Sequence, residues 1–96
     1  MNVFVLDGKK MTGIGEAHRY IAKTLSFPEY YGQNLDALAD CLSEFPKNTC
    51  IVLVNKKELE KMLGPYTRRL IAVFEYAADE AGYSFAVCND DGGDIN

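Results

Sequence analysis

Much of what builds an active centre is scarce in this chain. Its 96 residues include a single histidine, His18, no tryptophan and three cysteines. Cys41, Cys50 and Cys88 are odd in number and never spaced C-x-x-C, which excludes a disulfide framework and a zinc site of ordinary spacing. They read as buried thiols acting as small hydrophobes. No apolar run reaches the roughly 20 residues of a membrane span. The opening "MNVFVLDGKK" carries its charge after a short apolar run. A secretory signal carries it before, so a cytoplasmic protein is expected. Basic excess is missing too: the net charge is −4, which argues against direct nucleic-acid binding. "GIG" (13–15) and "DGGD" (91–94) lack the spacing and the Lys-Ser/Thr pair of a phosphate loop. "DDGGDIN" lacks the glutamate and ligand spacing of a calcium loop. No spacing calls for a cofactor.

What is present is an ordinary globular composition, 48% hydrophobic and 25% charged, in a length that suits one domain. "NVFVL" (2–6) reads as a strand closed by Asp7-Gly8. Ile14, Ala17, His18, Ile21, Ala22 and Leu25 recur at three and four residues, the apolar stripe of a helix over 15–26. His18 lies on that stripe and reads as a hydrogen-bonded core residue. "SFPEYYG" breaks this helix. Asn34 then caps another whose buried side is Leu35, Leu38 and Leu42. "TCIVLVN" (49–55), apolar throughout, suggests a strand covered on both faces. A brief helix over 56–63 stops at Gly64. Pro65 opens a longer one over 66–81 with Leu70, Ile71, Phe74, Ala77, Ala78 and Ala81 as its core face, and Gly82 ends it. "YSFAVCN" (83–89) is the last strand. The order β-α-α-β-α-α-β implies an α/β fold, a three-stranded parallel sheet packed with about four helices. A single domain over 1–89 and an acidic, glycine-rich, flexible tail over 90–96 complete the expected organisation.

The charge imbalance is local. From Glu29 to Phe45 there are four acids (Glu29, Asp36, Asp40, Glu44) and no lysine or arginine, while the rest of the chain holds ten acids against ten bases. Asp36, Asp40 and Ser43 stand at i, i+4 and i+7 and share a helix face. Asp36 gains from the helix dipole, Asp40 gains little, and their repulsion costs about 0.2–0.5 kcal/mol. A solvated face could tolerate that. Tyr30 and Tyr31 at the helix start and Phe45 at its end change the balance, because rigid aromatics beside unpaired carboxylates compose a binding hot spot. At least one of the two tyrosines is expected to pack beneath the loop. A catalytic carboxylate pair is the weaker reading, since no histidine, arginine or metal-ligand set accompanies the acids.

At "PEYYGQNLDALADCL" (28–42) the chain resembles the barstar family of ribonuclease inhibitors, nearly residue for residue. Weaker agreement covers the opening strand, "AHRYIAKTL" and "VFEYAADEAGYSFAV". The resemblance implies the same three-stranded parallel fold, no catalysis, and a monomer when free. Its partner is a basic, extracellular-type ribonuclease, barnase-like, or a related toxin domain. By that similarity Asp40 enters the enzyme's phosphate-binding centre and Asp36 meets a neighbouring base. Tyr30 packs on the catalytic histidine, with Tyr31, Gly32, Asn34 and Leu35 lining the contact and Ser43 and Phe45 at the rim. Three departures stand out: the family's prototype has tryptophan where this chain has Ala39, glycine at Glu44 and tryptophan at Phe45. Of the acids on the last long helix, Glu75, Asp79 and Glu80, the last is the expected contact. The rival expectation keeps the fold for a non-ribonuclease partner.

Overall fold

The computed structural model describes residues 1–90. All but the first residue of the expected tail, and the "DGGD" segment with it, therefore fall outside the described residues. Strand β1 (Asn2–Asp7) runs into a 3-10 turn (Gly8–Lys10), followed by α1 (Ile14–Leu25), α2 (Leu35–Leu42) and β2 (Thr49–Val54). Then come α3 (Lys56–Leu63), α4 (Tyr66–Ala81) and β3 (Ser84–Val87). The three strands pair in parallel in the order β1-β2-β3, the α/β architecture expected. Helix α1 stops where Ser26 turns left-handed, and α4 stops at Gly82 with φ +82°, a conformation that glycine adopts without a Cβ clash.

One expectation about the sheet is wrong. Phe4, Leu6, Ile51, Leu53, Phe85 and Val87 share the face that meets the helices, whereas Val3, Val5, Cys50, Val52, Ser84 and Ala86 share the other. On that second face Val3 is 59% and Val5 53% exposed and Cys50 and Val52 of β2 are only half-buried, so among the described residues no layer covers that side of the sheet. The cause is topological. Both crossovers step in the same direction across the sheet, and crossovers of one hand that do so leave their helices on one side. The cysteine expectation fails partly for the same reason: Cys41, Cys50 and Cys88 are all half-buried free thiols, and Cys50 stands on the uncovered face.

The core between sheet and helices is built on Leu6, Met11, Ile21, Leu38, Leu42, Ile51, Leu59, Leu70 and Phe74, all essentially inaccessible. Ile14 is the exception on the α1 stripe, exposed at the helix start. Gly8 is buried where the 3-10 turn packs on α3. A Cβ there would lie 2.5 Å from the Asn55 carbonyl oxygen, 3.0 Å from Leu59 Cβ and 3.1 Å from the Val54 carbonyl oxygen. Two of those three atoms are backbone and cannot swing away. Gly8→Ala is therefore expected to cost about 1–3 kcal/mol. In thermal unfolding that is a drop of several degrees, roughly 4–8 °C per kcal/mol for a domain of this size.

Candidate functional site

Helix α2 begins where the sequence says it should. Asn34 Oδ1 accepts from the Ala37 amide at 2.8 Å, and Asn34 Nδ2 donates to the Gly32 carbonyl at 3.3 Å. The cap satisfies an otherwise orphan amide and sets the rotational phase of the helix. Leu38 and Leu42 are then buried, Leu35 and Ala39 half-buried, and Asp36, Asp40, Ser43 and Glu44 exposed. Ser43 Oγ donates back to the Asp40 carbonyl at 2.8 Å. Neither aspartate nor Glu44 forms an ion pair among the described residues. Their field reaches inward all the same: the Cys41 thiol is pushed up by burial, then by Glu44 and Asp40.

The loop before α2 separates its two tyrosines. Tyr31 turns in, 5.1 Å from the Phe27 ring centroid, and its hydroxyl lies 2.6 Å from Nδ1 of His18. Burial raises the Tyr31 hydroxyl well above its ordinary range, so it stays protonated. His18 is fully buried and its Nε2 lies 2.7 Å from the Tyr66 hydroxyl at the start of α4. One ring nitrogen donates and the other accepts in the neutral imidazole, and burial lowers the His18 pKa from its ordinary 6.5. His18 thus ties the loop to α4. With Tyr31 held inside, Tyr30 is left outside, 88% exposed. A hollow beside it is lined by Pro28, Tyr30, Asp40, Cys41 and Glu44.

On the other flank α2 packs against α4. Asn34, Leu35 and Asp36 share a depression with Tyr66 and Arg69, and the Arg69 guanidinium carbon lies 5.7 Å from the Tyr66 ring centroid. At the far end the Tyr83 hydroxyl, just past α4, donates to the Leu42 carbonyl at 2.8 Å. The two helices therefore run in the same sense. Phe45 is half-buried, with ring centroids 5.5 Å from Phe4 and 6.0 Å from Tyr83, and its remaining surface lines the hollow shared by Tyr30, Asp40 and Glu44. Glu80 is exposed and follows Arg69 and Val73 along the α2 side of α4. Glu75 and Asp79 line a hollow with Tyr83, Ser84 and Phe85 on the opposite flank.

The structure thus gathers Tyr30, Gly32, Asn34, Asp36, Asp40, Ser43 and Glu44 on one surface, with Tyr31, Leu35 and Ala39 half-buried within it. Reading along the sequence misses Arg69, which brings a cation beside Asp36. Its only signal was helical phase, since Arg69 lies seven residues before Tyr76 and eleven before Glu80. Among the described residues this face sets no nucleophile beside a base, and its hollows are open ones. It is suited to contact.

A family model described as "Barstar (barnase inhibitor)" matches residues 1–91. "Putative ribonuclease inhibitor YrdF" of Bacillus subtilis (strain 168) is 33% identical over 90 residues, which cover 91% of this chain and 97% of that protein.

Proposed function

The chain belongs to the barstar family, and from that premise we propose that it is a non-catalytic inhibitor of a basic, barnase-like ribonuclease, acting inside the cell that makes it. The observation that carries this reading is that helix α2 and the turn after it present Asp36, Asp40 and Glu44 to solvent without an ion pair among the described residues, beside the exposed ring of Tyr30.

An enzyme that binds RNA must gather cations where phosphates sit. Carboxylates at a fixed spacing on a rigid helix can occupy those positions, and no bond is made or broken. Asp40, clear of the helix start and flanked by Tyr30 in the hollow, enters the phosphate centre. Asp36 meets a neighbouring base. Gly32 and Asn34 shape the approach, Leu35 and Ala39 supply apolar contact, and Ser43, Glu44 and Glu80 extend the polar edge. Tyr31 acts from behind by setting the loop through His18.

The test is ribonuclease inhibition with RNA as substrate and barnase as the enzyme. Stoichiometric loss of turnover on adding this chain supports the reading, and unimpaired turnover at micromolar excess sinks it. Opposite charges also steer encounter. The association rate is expected to fall by tenfold or more between about 0.05 and 0.5 M salt, as the screening length shrinks below about 10 Å. Stopped-flow mixing reads this directly.

A further inference from the structure

The six tyrosines fall into two groups. Tyr20 accepts the Asp7 amide, Tyr31 and Tyr66 bond His18, and Tyr83 donates to Leu42. Tyr30 and Tyr76 make no such bond, and they are the exposed aromatics of the described residues, at 88% and 67%. A buried tyrosine needs a partner for its hydroxyl. An exposed one without any internal task spends its apolar ring in water for no gain in the free protein.

Tyr76 also has a definite place. The contact of α2 with α4 is pinned at one end by Asp36 sharing the Arg69 depression and at the other by the Leu42 carbonyl bonded from Tyr83. The Arg69 phase continues through Val73 and Tyr76 to Glu80 at helical spacing, so Tyr76 stands on the side of α4 that adjoins α2. Helical side chains lean toward the preceding turn, which here carries the half-buried Val73. Helix α2 itself carries no aromatic residue, and Ala39 offers only a methyl group.

Building on the reading above, we propose that Tyr76 is a second aromatic anchor for the basic partner, supplied by α4 to a face whose own helix has none. Tyr30 and Tyr76 then flank the acids of α2 from opposite sides, and the carboxylates occupy the trough between two rings. Such a face fits a partner whose basic cleft is bordered on both sides by apolar or cationic ledges. Lysine or arginine stems suit the second ledge, since a cation over a tyrosine face is favourable.

The experiment uses barnase as probe and calorimetry as readout, with Tyr76→Ala, Tyr76→Phe, Asp40→Ala and, on α3, Met62→Ala as a distant exposed control. Tyr76→Ala is expected to weaken binding 10- to 100-fold with an unchanged melting temperature, while Tyr76→Phe and Met62→Ala stay within twofold. If Tyr76→Ala also stays within twofold while Asp40→Ala loses binding, the anchor is refuted and the inhibitor reading survives. If the unaltered chain fails to bind, both fall together.

Discussion

Asp40→Ala is expected to weaken the complex with barnase by about 30- to 5,000-fold. The figure follows from geometry and charge. Asp40 is exposed and forms no ion pair among the described residues, so its removal costs the fold little. It even relieves a repulsion with Asp36 of about 0.2–0.5 kcal/mol. In the complex, the same deletion leaves the enzyme's cations desolvated without a counter-charge, a loss of about 2–5 kcal/mol for a hydrogen-bonded charge pair, at tenfold per 1.4 kcal/mol. Asp36→Ala should cost less, because Arg69 already shares its depression. Titration calorimetry alongside thermal unfolding separates binding from stability. An Asp40→Ala affinity within threefold of the parent would remove the phosphate-mimic mechanism.

The second large effect concerns His18 and acid. Its pKa in the folded protein lies below 6.5, so above about pH 6.5 both states hold it neutral and pH has no leverage. Below that value the unfolded chain takes up the proton first. Stability then falls as pH drops toward the folded pKa, by at most about 1.4 kcal/mol per pH unit. Protonation would make both ring nitrogens donors toward Tyr31 and Tyr66, whose hydroxyls stay protonated there because burial raises both. The window from pH 6.5 to 5 isolates this group. His18 is the only histidine. Asp7, though burial opposes it, is held below its ordinary 3.8 by Asn55 and the Lys9 amide, so it titrates lower still. Urea unfolding should show lower stability at pH 5.0 than at pH 7.5, by no more than about 2 kcal/mol, the limiting slope over this span. In His18→Gln, which can hydrogen-bond without titrating, the curve should be flat. A slope that persists in the glutamine variant would assign the acid sensitivity elsewhere.

Much of this molecule is legible in its sequence, and the boundary of what is legible is physical. Local signals did their work: Asn34 marks the α2 start, Gly82 the α4 end, and the leucine phase puts Asp36, Asp40 and Ser43 outside. The pair Tyr30–Tyr31 announces one ring in and one out. Which is which depends on His18, thirteen residues before Tyr31, and on Tyr66, forty-eight beyond it. The uncovered sheet face was not legible, because an apolar strand reads the same whether one or both sides are packed. Arg69 and Tyr76 stayed hidden for a related reason: the phase of α4 is visible in its sequence, but the flank that meets α2 is decided by tertiary packing. That Phe45 also packs inward was not legible, since its partners Phe4 and Tyr83 are distant in the chain.

The parallel sheet has a further bearing on the inhibitor face. No two strands here can close a hairpin. Asn2 must find Thr49, and Cys50 must find Ser84, each across a stretch that contains two helices. Helix α2 is thus part of the only connection that lets β1 and β2 meet. Whatever grips α2 holds that connection shut, so a bound partner becomes a brace on the sheet and resists unfolding by mass action. The surface proposed to recognise the enzyme and the tie that keeps the first two strands together are one piece of chain.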